Sequence, residues 1–228
     1  MQKLTKEKTI ELLKRLIVYA LGMFIIAFGV NIASKSQLGV SPVNAIPFVV
    51  AGKFTFLTKG TWVTIVFSLF VLIQLAILGK DFKWYYIFQF LVSTLFGFFV
   101  DATAWLGQFC IPEVHFYALR IVYVLVSTVF IAFGIMLYLE GNIMSMPGEG
   151  VTVAMEKRFK LPLSTCKLIF DVSIIIIATI LSFVFFGKLQ EVREGSVLIA
   201  VGVGLVMKPI MKHVKPLVHK WVFGREAK

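Results

Sequence analysis

Only two cysteines and three histidines occur in these 228 residues, and only twelve side chains are acidic. Cys110 and Cys166 stand far apart, and neither they nor His115, His213 and His219 show metal-ligand spacing, so no metal site is expected. The chain also lacks a nucleophile elbow, a phosphate loop and a paired-His metalloprotease motif. Those absences leave an enzyme, and any bound cofactor, without support. Charged residues make up 15%, against about a quarter in soluble domains. No small-residue cleavage site follows the first apolar run, which argues against a removable secretory signal.

What the chain holds instead is apolar. Hydrophobic residues reach 59%, Phe alone occurs 23 times, and the mean hydropathy is +0.91. Spanning about 30 Å of hydrocarbon takes about 20 helical residues, and apolar stretches of that order recur from end to end. The sequence predicts a single all-α polytopic membrane domain over 1–228. Six transmembrane helices are expected near 14–33, 61–79, 84–106, 117–139, 163–186 and 195–213. Trp62, Trp84 and Trp105 fall at expected span ends, as an aromatic belt requires.

Two shorter apolar pieces, about 42–52 and 147–158, are too short to cross and read as half-helices or re-entrant segments. With the N-terminus cytoplasmic and these pieces not crossing, 17 of the 23 Lys and Arg fall inside. Six fall outside: Lys35, Lys53, Lys59, Arg120, Lys188 and Arg193. That bias fits short cytoplasmic tails at both ends. It also explains the net charge of +11 without nucleic acid.

The segment Ile26-Ala27-Phe28-Gly29 returns as Ile131-Ala132-Phe133-Gly134. The same ungapped register aligns Pro42 with Pro147, Asn44 with Glu149, and Phe54 with Phe159. Two repeats are expected, about 14–106 and 117–213, each of three spans and one Pro-broken segment. Three is odd, so the second repeat must be inverted relative to the first. The two broken segments then enter from opposite sides, the arrangement that places transporter binding sites at the midplane.

Four residues are the first candidates for a substrate site. Ser41 fits an N-cap, Pro42 the first helical position and Asn44 the third; Pro147 and Glu149 repeat the pattern. Helix N-termini hold free N–H groups and partial positive charge. Capping of their own helices would account for Ser41 and Asn44 equally well. Glu149 is costly at depth unless paired, protonated or hydrated. It is a proton or cation site if its loop re-enters, and an ordinary solvated acid if it does not. Asp171 lies inside the fifth span and reads as a proton relay, or as the local partner of Lys167 four residues earlier. Asn31, Gln74, Gln89 and Ser93 are expected to bond between helices, and Gly202 and Gly204 to allow close packing.

Phe28-Gly29 and Leu38-Gly39-Val40-Ser41-Pro42, with the spans that follow, resemble the YczE/YyaS/YitT family of bacterial membrane proteins. Members often carry Trp-Asp after that Pro, where this chain has Val43-Asn44. The resemblance implies a bacterial cell-membrane location and, for the family, transport. The expectation is a secondary, ion-coupled transporter or exporter of a small polar or amphipathic solute. A passive channel and a non-transporting scaffold or regulator are the alternatives. The expected partners are the lipid bilayer and a small-molecule or ion substrate; inverted repeats occur in monomers and homo-oligomers alike.

Overall fold

A computed structural model describes residues 2–114 and 116–224, with side chains from Lys8 onward; His115 lies outside the described residues. The chain forms α1 (Gln2–Ser36), α2 (Pro42–Lys53), α3 (Lys59–Leu78), α4 (Gln89–Cys110), α5 (Tyr117–Gly141), α6 (Pro147–Phe159), α7 (Leu163–Phe186), α8 (Glu194–His213) and α9 (Lys215–Phe223). Two short 3-10 turns, Gly79–Asp81 and Trp84–Phe88, lie between α3 and α4. No strand occurs among the described residues. Six helices, α1, α3, α4, α5, α7 and α8, are long and apolar enough to cross a bilayer. Large apolar side chains such as Phe98, Leu125, Ile180 and Val201 stand exposed along them, which suits lipid and not water. This is a multi-pass helical membrane protein.

The helices overrun the apolar windows. The first begins at Gln2 rather than near 14, and the third span continues to Cys110 rather than ending at 106. Lys, Glu and Gln are good helix formers, so helices continue into polar ends that hydropathy alone does not count.

Helices α2 and α6 are short, at 12 and 13 residues. They reach about 18 and 20 Å at 1.5 Å per residue, well under a bilayer core. Each starts with Pro at its first turn behind an extended residue, Ser41 or Met146. Just past α1 and α5, Gln37 (φ 58) and Asn142 (φ 46) both take left-handed backbone. They are related by the same 105-residue step as the two prolines.

Side-by-side packing of α1 and α5 forms the centre. Glycine makes it close: a Cβ on Gly29 would sit 2.9 Å from Ile131 Cγ1, and one on Gly134 2.7 Å from Ile26 Cγ1. The two contacts are reciprocal, because Gly29 aligns with Gly134 and Ile26 with Ile131. Around this pair, α1 packs on α4 as α5 packs on α8, and α2 packs on α7 as α6 packs on α3. The correspondence then breaks. Helices α3 and α4 close tightly where a Cβ on Gly60 would meet Gly97 O at 2.0 Å, and no comparable packing joins α7 to α8. Gly202 does pack, against Thr128 Cγ2, but Gly204 faces open space. Its expected packing role is therefore not met.

The helix ends define two faces. One, the tail face, carries the start of α1 and all of α9. There Lys14 Nζ donates to Trp221 O at 2.9 Å and Arg15 Nε to Gly141 O at 3.0 Å. Glu140, 6% exposed in the last turn of α5, hydrogen-bonds His219 of α9. A carboxylate at a helix C-terminus opposes the helix dipole, and the His219 ring answers it. On the opposite face, the chain after α1 is tied to the segment between α7 and α8, with Val40 N–H donating to Glu191 O at 3.1 Å and Gly195 N–H to Leu38 O at 2.8 Å. Cys110 lies on this opposite face and Cys166 near the other, and both are free.

Candidate functional site

The first turns of α2 and α6 meet in the interior. Val43 and Gly148, each directly after its proline, are neighbours: a Cβ on Gly148 would lie 3.0 Å from Val43 Cγ1 and 3.6 Å from Phe170 Cε1. The expected meeting of the broken segments is thus present, but it is filled by apolar packing. Phe48, Phe67, Phe96 and Val151 belong to the same core.

Polar groups around the junction are mostly paired. Ser41 occupies the N-cap position, yet its hydroxyl accepts from Asn44 Nδ2 at 2.9 Å instead of from a backbone N–H. Asn44 is 5% exposed and its Oδ1 has no partner. An unmet buried acceptor costs about 1–3 kcal/mol, and Pro47 adds to the deficit because it has no N–H to offer Val43 O. In α6, Glu149 accepts a hydrogen bond from the Tyr138 hydroxyl, which itself accepts from Met146 N–H at 3.3 Å. Tyr19, packed on Tyr138 at 5.6 Å, donates to Met144 O at 2.9 Å. Gln74 donates to Gln89 Oε1 at 2.7 Å and to Pro147 O at 3.2 Å, and Gln89 donates to Ser145 Oγ at 3.2 Å. These side chains, on α1, α3, α4 and α5, hold the start of α6 in place.

Asp171 is not part of this arrangement. It pairs with Lys167 at 2.7 Å, four residues earlier on α7, and lines neither cavity described below. Asp101 caps α3: it accepts from Gly60 N–H at 2.7 Å and Thr58 Oγ1 at 2.6 Å.

Two cavities open on opposite faces. The larger, about 690 Å³, opens on the face opposite the tails and reaches Asn31, Ser34, Lys59 and Glu191. The smaller, about 320 Å³, opens on the tail face between Tyr85, Tyr86, Tyr138, Asn142 and Glu149. Four pairs of lining residues are related by the 105-residue step: Ser34 with Leu139, Gln37 with Asn142, Tyr85 with Gln190, and Tyr86 with Glu191. Of the four first candidates, Glu149 lines a cavity, and Ser41, Asn44 and Asp171 line neither.

The larger cavity brings several charged side chains together. Lys59 Nζ donates to Ser34 Oγ at 3.0 Å and Ser34 Oγ to Glu191 Oε1 at 3.2 Å; the ammonium also lies 5.0 Å from the centre of the Phe48 ring. Burial raises the Glu191 carboxyl above its usual range, with the Lys59 charge and the Ser34 hydrogen bond acting the other way. Asn31 closes the deep end, its Nδ2 donating to Val100 O and Thr103 Oγ1, both at 2.9 Å; that is the interhelical role expected of it. In the sequence, Lys35, Lys59, Lys188 and Arg193 enter only the charge count, and Glu191 is not singled out. The signal available was the repeat register: carried beyond the prolines, it places 190–191 opposite 85–86.

No group of three or more His, Cys, Asp or Glu among the described residues is placed to hold a metal ion. No curated protein and no solved structure matches the chain. Residues 13–212 match the model of a family of unknown function, DUF6198, and the chain belongs to that family.

Proposed function

We propose that the protein is a secondary carrier or exporter of a small polar or amphipathic solute, coupled to an ion and built as two inverted halves. Both tails lie in the cytoplasm of a bacterial cell, and the larger cavity faces outward. The observation that carries this reading is the pair of cavities on opposite faces, lined by register-related residues, together with the apolar packing of Val43 on Gly148 in the interior. A carrier needs a barrier that shifts between two vestibules, and inverted repeats supply one by exchanging the conformations of the halves. The resemblance at Leu38–Pro42 points the same way.

The apolar barrier weighs against a passive channel, which needs a continuous wet path. The unpaired Asn44 Oδ1 and the cavities weigh against a scaffold, in which polar side chains should all be satisfied by neighbouring helices. Glu149, inside the smaller cavity and bonded to Tyr138, is the best-placed group for a coupling proton. The test is uptake into proteoliposomes under a pH gradient. Glu149→Gln is expected to abolish gradient-dependent flux; flux unchanged in that variant would sink the proton site, and flux of the wild type without any gradient would favour the channel.

A further inference from the structure

The geometry points to a binding site for small organic anions, carboxylates above all, in the larger cavity. This rests on the reading of that cavity as the outer vestibule of a carrier. The face opposite the tails holds six basic side chains, and four of them, Lys35, Lys59, Lys188 and Arg193, line this one cavity. Two acids, Glu113 and Glu191, share the lining with them. Basic residues are disfavoured on the outer side of a membrane protein, so their convergence calls for a cause other than topology.

The pairing within the cavity sharpens the point. Lys59 is engaged by Ser34 beside Glu191, and Arg193 lies 3.2 Å from Glu194. The Lys35 and Lys188 ammonium groups make no hydrogen bond or ion pair among the described residues. They are uncommitted cations on the wall of a space of about 690 Å³, within the range of small-molecule sites. Gln37, Gln108 and Gln190 add amide side chains to the same wall. Ammonium groups converging with amides on a partly closed cavity suit a carboxylate, whose oxygens accept several charge-assisted hydrogen bonds. A cationic solute would meet four like charges.

The test is equilibrium binding to the full chain in detergent micelles, read as a rise in thermal midpoint with added probe at constant ionic strength. The probes are citrate, glutamate and inorganic phosphate, with choline as the cationic comparison. Concentration-dependent stabilisation by citrate or glutamate and none by choline is expected. Lys35→Gln with Lys188→Gln should weaken that binding about tenfold, two partly exposed charge contacts being worth a few-fold each. Lys53→Gln, on the same face but outside the cavity, should leave it unchanged. Phosphate stabilisation as strong as that by the carboxylates would overturn the carboxylate preference. Stabilisation by choline alone, by none of the anions, or with unchanged affinity in the double variant would overturn the site. Because no gradient or flux is involved, anion binding without transport would refute the carrier and leave the site standing, and transport without anion binding would do the reverse.

Discussion

Replacing Val43 and Gly148 with cysteine tests the junction on which the two-vestibule reading depends. A Cβ on residue 148 lies 3.0 Å from Val43 Cγ1 and 3.7 Å from Cγ2. Each of those atoms is about 1.5 Å from the Val43 Cβ, so the two Cβ atoms are at most about 4.5 Å apart, and a disulfide takes about 3.5–4.5 Å. The native Cys110 and Cys166 are free and are first replaced by Ser and Ala. The bond would close a loop of roughly 100 residues, for which chain entropy gives about 4.7 kcal/mol. Helices that persist in a micelle already restrict the unfolded chain, so that figure is an upper bound. At about 2–4 °C per kcal/mol for a chain of this size, oxidation should raise the thermal midpoint by at most roughly 10–20 °C. The assay is mild oxidation followed by cleavage at a protease site engineered beside Lys80. Halves that stay joined on a non-reducing gel and part with reductant are the expected result, with the two single-cysteine chains as controls. In proteoliposomes the cross-link should stop flux, and reductant should restore it. Halves that separate after oxidation would mean that the first turns of α2 and α6 do not meet, and the barrier between the cavities would have to be sought elsewhere.

Three further outcomes follow from individual contacts. Asp101→Asn removes the charge that caps α3 through Gly60 N–H and Thr58 and should cost about 1–2 kcal/mol in thermal unfolding; unchanged stability would refute the cap. Gly60→Ala places a methyl 2.0 Å from the backbone oxygen of Gly97, which no side-chain rotation relieves, so a loss of about 1–3 kcal/mol is expected, against a small gain if helix propensity alone mattered. Glu191 has its folded pKa raised, chiefly by burial, so it holds its proton to higher pH in the fold than in the unfolded chain. Its favourable share of stability is therefore complete below the ordinary carboxylate pKa of about 4.3 and is lost as pH rises through the raised value. As it ionises beside Lys59 it also weakens the pull on anions, so citrate binding should fall with rising pH, and Glu191→Gln should flatten that dependence.

Much of the architecture was legible because lipid imposes simple rules. Long apolar runs have to be helices, and Pro42 and Pro147 mark where such a run must restart, so α2 and α6 could be placed to within a residue or two. Asn31, Gln74 and Gln89 were legible as interhelical partners, since buried amides in lipid have little else to bond. What could not be read was which polar residues share a cavity. Lys59, Ser34 and Glu191 come from three separate stretches, and only packing α2 against α7 brings the α7–α8 segment over the end of α1. The Val43–Gly148 contact was hidden for a similar reason: two apolar residues carry no pattern that distinguishes a plugged junction from an open one. The local ion pair of Asp171 with Lys167, by contrast, was open to inspection in their spacing.

Helix α9 packs against α1 at Lys14 and Arg15, so the last described helix lies beside the first on the tail face. A short linker from the last helix back to the first, with new termini cut at Lys80–Asp81 on the same face, would leave every interhelical contact in place while making α4 the first helix to leave the ribosome. Such a circular permutant separates two influences that are superimposed in the natural order: the charge next to each span, which it keeps, and the order of insertion, which it changes.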